Sequence, residues 1–381
     1  MIPYGKHSIQ ADDIAAVTDV LENGFLTQGK MVPAFEKALC EVTGATAAVA
    51  VNSGTSGLHI ACLALDIGPG DLVWTVPNSF AASANCARYC GADVDFVDID
   101  PHTRNLSLSA LEAKLKDAQR TGRLPKALVV VHFAGSSCDM KAIAALTDPY
   151  AIHLIEDAAH ALGASDAEGN KVGACRYADM VVMSFHPVKS ITSAEGGAVL
   201  TCDAELATKL RLFASHGITR NPDALPPGHE NEPWFYAQQL LGYNYRLSDV
   251  HAALGCSQLM RLTAFIDARR ERAKAYQSAL ADLPLKLPVW DANSAWHLYM
   301  VEVTQHDRTH VFNQLREKGI GVNVHYIPIH LHPYYQQLGF HAGQFPVAEA
   351  YYQSAITLPL YPDLSADNQN TVVKALREVL L

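Results

Sequence analysis

The 381-residue sequence has no apolar stretch as long as a membrane span, no block of like charge and no low-complexity tract. Its opening residues, MIPYGKHSIQADDI, lack the apolar core of a secretory signal. Because 29 basic residues stand against 39 acidic ones, giving a net charge of −10, the surface has no general attraction for nucleic acid or anionic lipid. We therefore expect a cytoplasmic protein whose partners include neither nucleic acid nor a membrane.

Cysteine is present but unpatterned. The eight cysteines are scattered, most of them inside apolar periodic segments. Cys86 and Cys90 would share one face of a helix, but no second Cys/His pair at zinc-binding spacing accompanies them. We therefore predict free thiols in a reducing compartment and no metal site.

What the sequence does contain is a large apolar fraction, 49%, in a pattern that predicts layers of strands and helices. From about residue 45, short β-branched runs alternate with helical periods, and several runs are apolar without alternation, as in a parallel sheet covered on both faces. The texture then changes to a half-exposed strand, HLYMVEV, followed by helices. We predict an α/β domain over residues 1–254, including an N-terminal segment that contacts substrate, and a smaller α+β domain over residues 255–381.

Polar residues cluster where the predicted strands end. In parallel α/β sheets, ligands bind beyond the carboxyl ends of the strands. The polar residues at those ends are Asn52, Ser53, His132, Glu156, Asp157, Ser184 and His186. The sequence therefore predicts an active site at this edge of the sheet.

One constellation at that edge suggests a cofactor. Lys189 lies a few residues beyond the apolar run ADMVVMSF, and Asp157 follows another strand. The turn 52–57, NSGTSG, joins a strand to a helix and can bind an anion through backbone N–H groups, while Phe80 lies at a further strand-to-helix turn. Pyridoxal phosphate requires these elements, because a lysine amine binds its aldehyde and an aspartate keeps its pyridine nitrogen protonated.

Each of these residues also has an ordinary structural interpretation. Lys189 alone could be a surface lysine, Asp157 a helix N-cap and Phe80 part of the core. Thr55 and Ser56 could cap their helix without binding a ligand, since both roles use the same geometry. Only the combination favours a cofactor site.

Longer motifs carry a resemblance to a known family. The sequence resembles the DegT/StrS-type sugar aminotransferases in NSGTSGL, EDAAHALGA, SFHPVK…AEGGAV and GYNYRLSD, in the expected order over nearly the whole chain. The resemblance implies the fold-type I aminotransferase architecture, pyridoxal 5'-phosphate as cofactor and a homodimer with shared active sites. In HFAG, SFHPVK, VHYIPI and PYY it is most similar to members of the pseudaminic acid pathway, which move the amino group of L-glutamate to C4 of a UDP-linked 4-keto-6-deoxy-N-acetylhexosamine.

The resemblance also implies roles for individual residues. Lys189 is similar to the lysine that holds the cofactor and Asp157 to its pyridinium partner, which makes these two the expected catalytic residues. The implied cofactor-binding residues are Gly54, Thr55, Phe80, Asp157, His160, Ser184, Lys189 and Asn244, the last reaching the phosphate from a second subunit. The implied substrate-binding residues are Tyr4, Gly24, Phe25, Leu26, Thr27, Asn323, Val324, His325 and Tyr326.

Some positions leave alternatives open. His160 stands where glutamine is often found, and Ala194 precedes Glu195 where many relatives have glycine. Asn244 taken alone could be a turn residue that serves its own backbone. Of the histidines in HYIPIHLHP, the one expected to contact substrate is His325 rather than His330 or His332, and metal binding there is not expected beside another cofactor.

The implied chemistry is a ping-pong amino transfer. Glutamate gives up its amino group and leaves as 2-oxoglutarate, the keto sugar receives it, and the Lys189 amine, its pKa lowered by burial, acts as general base in both halves. The alternatives are a dTDP-, GDP- or UDP-4-keto-pentose substrate, or a regulator that binds ligand without turnover. A sugar dehydratase is disfavoured, because such members have histidine in place of the lysine.

Overall fold

The computed structural model describes residues 1–229 and 232–381 of the chain. The strands are β1 (Ala47–Val51), β2 (Leu72–Thr75), β3 (Asp93–Phe96), β4 (Ala127–Val131), β5 (His153–Asp157), β6 (Met180–Ser184), β7 (Gly197–Thr201), β8 (Ile218–Thr219), β9 (Ala237–Gln238), β10 (Leu285–Lys286), β11 (Tyr299–Val303) and β12 (Ala355–Leu358). The α-helices are α1 (Ala11–Asn23), α2 (Met31–Thr43), α3 (Gly54–Ala64), α4 (Ala82–Tyr89), α5 (Leu108–Thr121), α6 (Met140–Thr147), α7 (Ala204–Ala214), α8 (Asp249–Leu259), α9 (Leu262–Ala279), α10 (Arg308–Glu317), α11 (Pro333–Gln336), α12 (Pro346–Ser354) and α13 (Ala366–Leu380).

A seven-stranded sheet in the order β1-β7-β6-β5-β4-β2-β3 forms the centre of the fold. The run β6-β5-β4-β2-β3 is parallel, and β7 pairs antiparallel with both β6 and β1. Every residue of β4, ALVVV, is buried because helices cover both faces of the sheet. The predicted mostly parallel α/β fold is therefore confirmed.

Close packing of α3 on the sheet fixes the position of its N-terminus relative to the ends of the strands. Of its eleven residues, eight are buried, including Leu58, Ile60 and Ala61. Gly57 lies so near β6 that a Cβ atom there would meet Val182 Cγ1 at 2.9 Å. The helix N-terminus is thereby held level with the carboxyl ends of β5 and β6.

A second, antiparallel sheet, β10-β11-β12, lies in the C-terminal part of the chain and has its own apolar core. This core includes Tyr276 from α9, Tyr299 and Val301 from β11, and Leu376 from α13. The predicted boundary after residue 254 falls inside α8, which packs against α1 and α2. The division into domains 1–254 and 255–381 stays a prediction.

In the described parts of the chain, no helix combines the length and the apolar character needed to cross a bilayer.

Candidate active site

A cavity of about 570 Å³ opens at the carboxyl ends of the central strands, where the sequence placed the site. Its walls come from the start of α3, the turn before α4, the ends of β5 and β6, and the segment after α10. The predicted site residues that line it are Tyr4, Gly54, Thr55, Phe80, Asp157, His160, Ser184, Lys189, Asn323, Val324, His325 and Tyr326. Both expected catalytic residues thus face one cavity.

Lys189 lies in the turn after β6, where its N–H donates to the carbonyl of His186 at 2.9 Å. Burial lowers the pKa of its amine to about 8, although the nearby carboxylate of Asp157 favours the charged form. With a pKa near 8, about a tenth of these amines are uncharged at pH 7, against well under a thousandth for an ordinary lysine. The amine is therefore available as a nucleophile or base near neutral pH.

Asp157, the last residue of β5, is 6% exposed and is held by two donors. Ser83 Oγ donates to its Oδ2 at 2.6 Å, and the Ala159 N–H donates to its Oδ1 at 3.2 Å. Because the Ser83 proton is used in this way, Ser79 Oγ is the donor in the 2.7 Å contact between the two serines. These bonds orient the carboxylate at the cavity wall.

The turn from β1 into α3 forms an anion cradle. Ser53 caps the helix by accepting the Ser56 N–H at 3.1 Å, while the N–H groups of Gly54 and Thr55, in the first turn, have no partner inside the helix. The backbones pack closely here, since a Cβ on Gly197 would meet Gly54 N at 2.6 Å and a Cβ on Gly54 would meet Ser184 Cβ at 3.0 Å. Free N–H groups at a helix N-terminus, with the Ser184 hydroxyl opposite, fit a phosphate.

His160 and Tyr326 form a hydrogen bond in which the donor and the acceptor can be assigned. The Ala134 N–H donates to His160 Nδ1 at 3.3 Å, so the neutral ring carries its proton on Nε2 and donates it to Tyr326 Oη at 3.1 Å. Burial, with the nearby Lys189 charge, holds the pKa of His160 well below its usual range. The Tyr326 hydroxyl proton is therefore left free to point to a ligand.

The segment 323–326 supplies the opposite wall. Asn323 Oδ1 accepts the Val324 N–H at 2.8 Å, and the ring of His325 meets that of Tyr4 with centroids 5.4 Å apart. His325 Nδ1 pairs with Thr357 Oγ1 at 2.8 Å, and burial lowers the pKa of His325 to about 3. The wall thus presents uncharged rings rather than cations.

Two predicted groups lie outside this cavity. The loop Gly24, Phe25, Leu26 and Thr27 lies at the surface beside α8, where the Leu26 carbonyl accepts the Asp249 N–H at 3.0 Å. Phe25 is 78% and Leu26 54% exposed. Asn244 is exposed too, and its carbonyl accepts from Asn52 Nδ2 at 3.5 Å. Their roles in binding stay predictions, the one for Asn244 requiring a second subunit.

In the turn after Lys189, one non-glycine residue adopts a left-handed backbone conformation. Ala194, which stands where many relatives have glycine, has φ +67°, in the left-handed region that favours glycine. Its N–H donates to Thr192 Oγ1 at 2.9 Å, which helps hold this backbone. Glu195, next to it, lines the cavity.

Sequence reasoning missed several residues of the site. Ser83 follows Phe80 by one helical turn, and that spacing after a strand end was an available signal. His297 lines the cavity, is 4% exposed, and its ring lies 4.3 Å from that of His160, but its segment SAWHLYM carries no readable motif. His332 also lines the cavity, whereas His330 is fully buried and pairs with Glu349 at 2.9 Å.

Comparisons with known proteins agree on one family. Residues 7–377 match the model of the DegT/DnrJ/EryC1/StrS aminotransferase family. The chain is 38% identical to the spore coat polysaccharide biosynthesis protein SpsC of Bacillus subtilis (strain 168), covering 100% of this chain and 97% of that protein.

Solved structures of such enzymes superpose over the full length. PseC of Helicobacter pylori, an aminotransferase involved in the biosynthesis of pseudoaminic acid, has a TM-score of 0.91 at 31% identity, covering 100% of this chain and 99% of that chain. The putative sugar aminotransferase Spr1654 of Streptococcus pneumoniae, in its PMP form, also gives 0.91, at 27% identity with the same coverage. The PLP form of the same protein has a TM-score of 0.89 at 26% identity, and the alignment covers 100% of this chain and 100% of that chain.

Proposed function

Because this chain belongs to the DegT/DnrJ/EryC1/StrS aminotransferase family, it is a pyridoxal-phosphate-dependent sugar aminotransferase, and we propose that it moves the amino group of L-glutamate to C4 of a UDP-linked 4-keto-6-deoxy-N-acetylhexosamine. The observation that carries the proposal is the position of Lys189 and Asp157 in one cavity beside an anion cradle, in a chain that superposes on PseC over its full length. A cytoplasmic location is consistent with such a biosynthetic enzyme and is part of the proposal.

The cavity has suitable groups for each part of the cofactor. The N–H groups of Gly54 and Thr55 with the Ser184 hydroxyl would hold its phosphate. The Asp157 carboxylate would hold the protonated pyridine nitrogen. Phe80, 62% exposed at the cavity wall, offers a ring face for stacking. Bound pyridoxal phosphate supplies an electrophilic carbonyl and an electron-withdrawing ring.

The residues of the chain then divide the remaining work. The Lys189 amine, with its pKa near 8, takes a proton from the amino donor in one half-reaction and returns one to C4 of the sugar in the other. Asp157 supplies fixed negative charge. The free hydroxyl proton of Tyr326 donates a hydrogen bond to the reacting oxygen of the sugar. Buried rings on the opposite wall, His325 among them, exclude water.

We propose that the loop 24–27 and Asn244 act in a homodimer with shared active sites. Their exposure in one chain supports this, because Phe25 and Leu26 leave apolar surface uncovered next to the loop's anchor on α8. In the dimer, Asn244 of one subunit would reach the cofactor phosphate of the other. Tyr4, Asn323, Val324 and His325 would contact the sugar nucleotide within the same chain.

A different acceptor is the second candidate. The identity with SpsC, 38%, exceeds that with PseC, 31%, and SpsC is described as a polysaccharide biosynthesis protein. This favours another nucleotide-linked keto sugar. The aminotransferase mechanism is the same for either acceptor.

The test incubates the holoenzyme with glutamate and a panel of UDP-, dTDP- and GDP-linked 4-keto sugars. We expect 2-oxoglutarate and a 4-amino sugar, identified by mass spectrometry, with the UDP-N-acetyl substrate turned over fastest. Turnover with only a dTDP or GDP substrate would refute the proposed acceptor. Glutamine or alanine replacing glutamate without loss of rate would refute the proposed donor.

A further inference from the structure

Asp249, the first residue of α8, holds a loop from a distant part of the chain. Its side chain is buried, with the residue only 1% exposed. Its Oδ2 accepts the Gly29 N–H at 2.8 Å, and its Oδ1 accepts the Met31 N–H at 2.7 Å. Its own N–H donates to the Leu26 carbonyl at 3.0 Å. We call these hydrogen bonds the Asp249 clamp. They join α8 to the loop that connects α1 and α2.

The clamp supplies the cap that α2 lacks. Lys30, the residue before α2, makes no side-chain cap hydrogen bond, and its backbone is already helical. The Met31 N–H is one of those that the first turn of a helix leaves without a partner. Because both carboxylate oxygens of Asp249 accept from backbone N–H groups, which can only donate, the carboxyl group is ionised. Its charge lies at the N-termini of α2 and α8, where the helix dipoles stabilise it.

The helices on either side of the clamp are fixed to the rest of the fold. α2 and α8 pack so closely that a Cβ atom on Gly255 would meet Phe35 Cζ at 2.7 Å. Before α8, the Tyr245 carbonyl accepts the Asn52 N–H at 2.8 Å, next to the anion cradle. Asp249 follows Tyr245 by four residues. The clamp therefore sets the position of the loop relative to the cradle.

The loop depends on Asp249 for its hydrogen bonds to the fold. In the described parts of the chain, every hydrogen bond from residues 25–31 to a residue outside this segment and α2 ends at Asp249. The backbone passes close to the carboxylate, since a Cβ atom on Gly29 would meet Asp249 Oδ1 and Phe25 Cβ, each at 3.0 Å. The segment 244–246, by contrast, is held by its own bond to Asn52. Loss of the clamp should therefore release the loop and leave Asn244 in place.

We propose that Asp249 is a positioning residue for the sugar half-reaction, because it holds the loop 24–27 in the conformation that binds the acceptor. The inference rests on the proposed function, in which this loop contacts substrate in a shared active site. Asp249 does not line the cavity and acts through the loop alone. The reaction with glutamate uses the cavity residues and not the loop. Loss of the clamp should therefore impair one of the two half-reactions.

The first experiment measures hydrogen–deuterium exchange in the full-length holoenzyme and in its Asp249→Asn variant. Asparagine keeps the size of the side chain but replaces one acceptor oxygen with an NH2 group, which would face a backbone N–H. We expect peptides covering residues 25–31 to exchange at least about tenfold faster in the variant. Peptides covering the anion cradle, residues 52–57, should exchange at the same rate in both proteins. Unchanged exchange over residues 25–31 would overturn the proposal.

The second experiment follows the cofactor absorbance in each half-reaction separately. Glutamate is added to the holoenzyme, and the acceptor that the substrate panel identifies is then added to the aminated enzyme. For Asp249→Asn we expect the acceptor concentration that gives half the maximal rate to rise about ten- to a hundredfold. The rate with glutamate and the Kd for pyridoxal phosphate should not change. Equal slowing of both half-reactions, or an unchanged response to the acceptor, would overturn the positioning role.

Asp98 is the matched control, because its two oxygens hold the start of another helix in the same way. Its Oδ2 accepts the Val347 N–H and its Oδ1 accepts the Ala348 N–H, both at 3.0 Å, in the first turn of α12. None of these three residues lines the cavity. Asp98→Asn should lower the melting temperature, as Asp249→Asn does, but leave both half-reactions unchanged. An acceptor defect of equal size in Asp98→Asn would indicate a general loss of structure and overturn the proposal.

Gly29→Ala tests the clamp from the side of the loop and serves if Asp249→Asn does not fold. Its Cβ atom would press on the carboxylate, which keeps its charge. We expect the same selective defect with the acceptor, and an unchanged response would overturn the proposal. Failure of the proposed function is recognised separately, because the unchanged enzyme would then aminate none of the keto sugars, whereas exchange over residues 25–31 would still test the clamp.

Discussion

Removing the Ser83 hydroxyl should weaken cofactor binding through Asp157. Ser83 is fully buried, and its 2.6 Å bond is one of two that orient this carboxylate. Loss of a hydrogen bond to a charged acceptor costs about 1.5–3 kcal/mol. Part of this loss lowers the free energy of unfolding, and the rest lowers the affinity for the cofactor. For Ser83→Ala we therefore expect the Kd for pyridoxal phosphate to rise about tenfold, with a changed visible absorption of the bound cofactor.

The assay titrates apoprotein with pyridoxal phosphate and follows absorbance, beside thermal melts without cofactor. The matched control is Thr75→Val, which removes a buried hydroxyl on β2 that donates to the Val129 carbonyl at 2.9 Å and does not line the cavity. Thr75→Val should lower stability by about 1 kcal/mol and leave the Kd unchanged. The conservative Ser83→Thr should recover part of the affinity. An unchanged Kd in Ser83→Ala, or equal losses in both variants, would refute a positioning role for Ser83.

Three further predictions rest on the same cavity. Burial lowers the pKa of Lys189 to about 8, so the rate at which apoprotein binds pyridoxal phosphate should rise about tenfold per pH unit below pH 8 and become constant above it. A binding rate that still rises at pH 10 would contradict this prediction. Gly197→Ala should abolish cofactor binding in equilibrium dialysis while the protein stays folded by circular dichroism, because the added Cβ would meet Gly54 N at 2.6 Å. Ala194→Gly should raise the free energy of unfolding by about 0.5–1 kcal/mol in urea melts, since φ +67° strains alanine, and a lower value would show that the loop is not strained.

The local features of the site were predictable from the sequence, and its long-range contacts were not. The edge that holds Gly54, Asp157 and Lys189 followed from apolar strands ending in polar residues, because parallel strands bring their carboxyl ends together. The position of Ser83 three residues after Phe80 was a usable signal, but its partner, Asp157, is 74 residues away along the chain, so only the three-dimensional structure identifies their contact. His297 was missed because its segment, SAWHLYM, contains no motif that marks a site residue.

The predicted domain boundary shows a second limit. The change of texture at HLYMVEV, residues 297–303, coincides with the antiparallel sheet β10-β11-β12, whereas the predicted boundary lies after residue 254. Yet α8 runs from Asp249 to Leu259 and packs on α1 and α2, so residues on both sides of the boundary belong to one helix. Hydrophobic periodicity describes the faces of a helix but not which of two cores will bury them.

The charges of the cavity supply an argument for shared active sites. Among its described lining residues, Lys189 is the only lysine or arginine, whereas Asp157 and Glu195 are acidic. Burial lowers the pKa of His160, His297 and His325, so these imidazoles add no positive charge. The proposed nucleotide diphosphate and dicarboxylate donor would therefore meet a single lysine or arginine among the described lining residues, and further cations would come from outside this cavity.

We propose that a second copy of the chain supplies those cations, and an experiment with mixed variants tests whether the active sites are shared. Arg246 follows the exposed Asn244 by two residues, and its Nε is buried without a hydrogen-bond partner. We expect Lys189→Ala and Asn244→Ala homodimers each to be nearly inactive. When the two are unfolded together and refolded, half of the dimers are hybrids, and each hybrid has one site with an intact lysine and an intact partner asparagine. About a quarter of the unchanged enzyme's activity should return. If no activity returns although hybrids are shown by native mass spectrometry, Asn244 serves the site of its own chain, and the charge deficit must be met within one subunit.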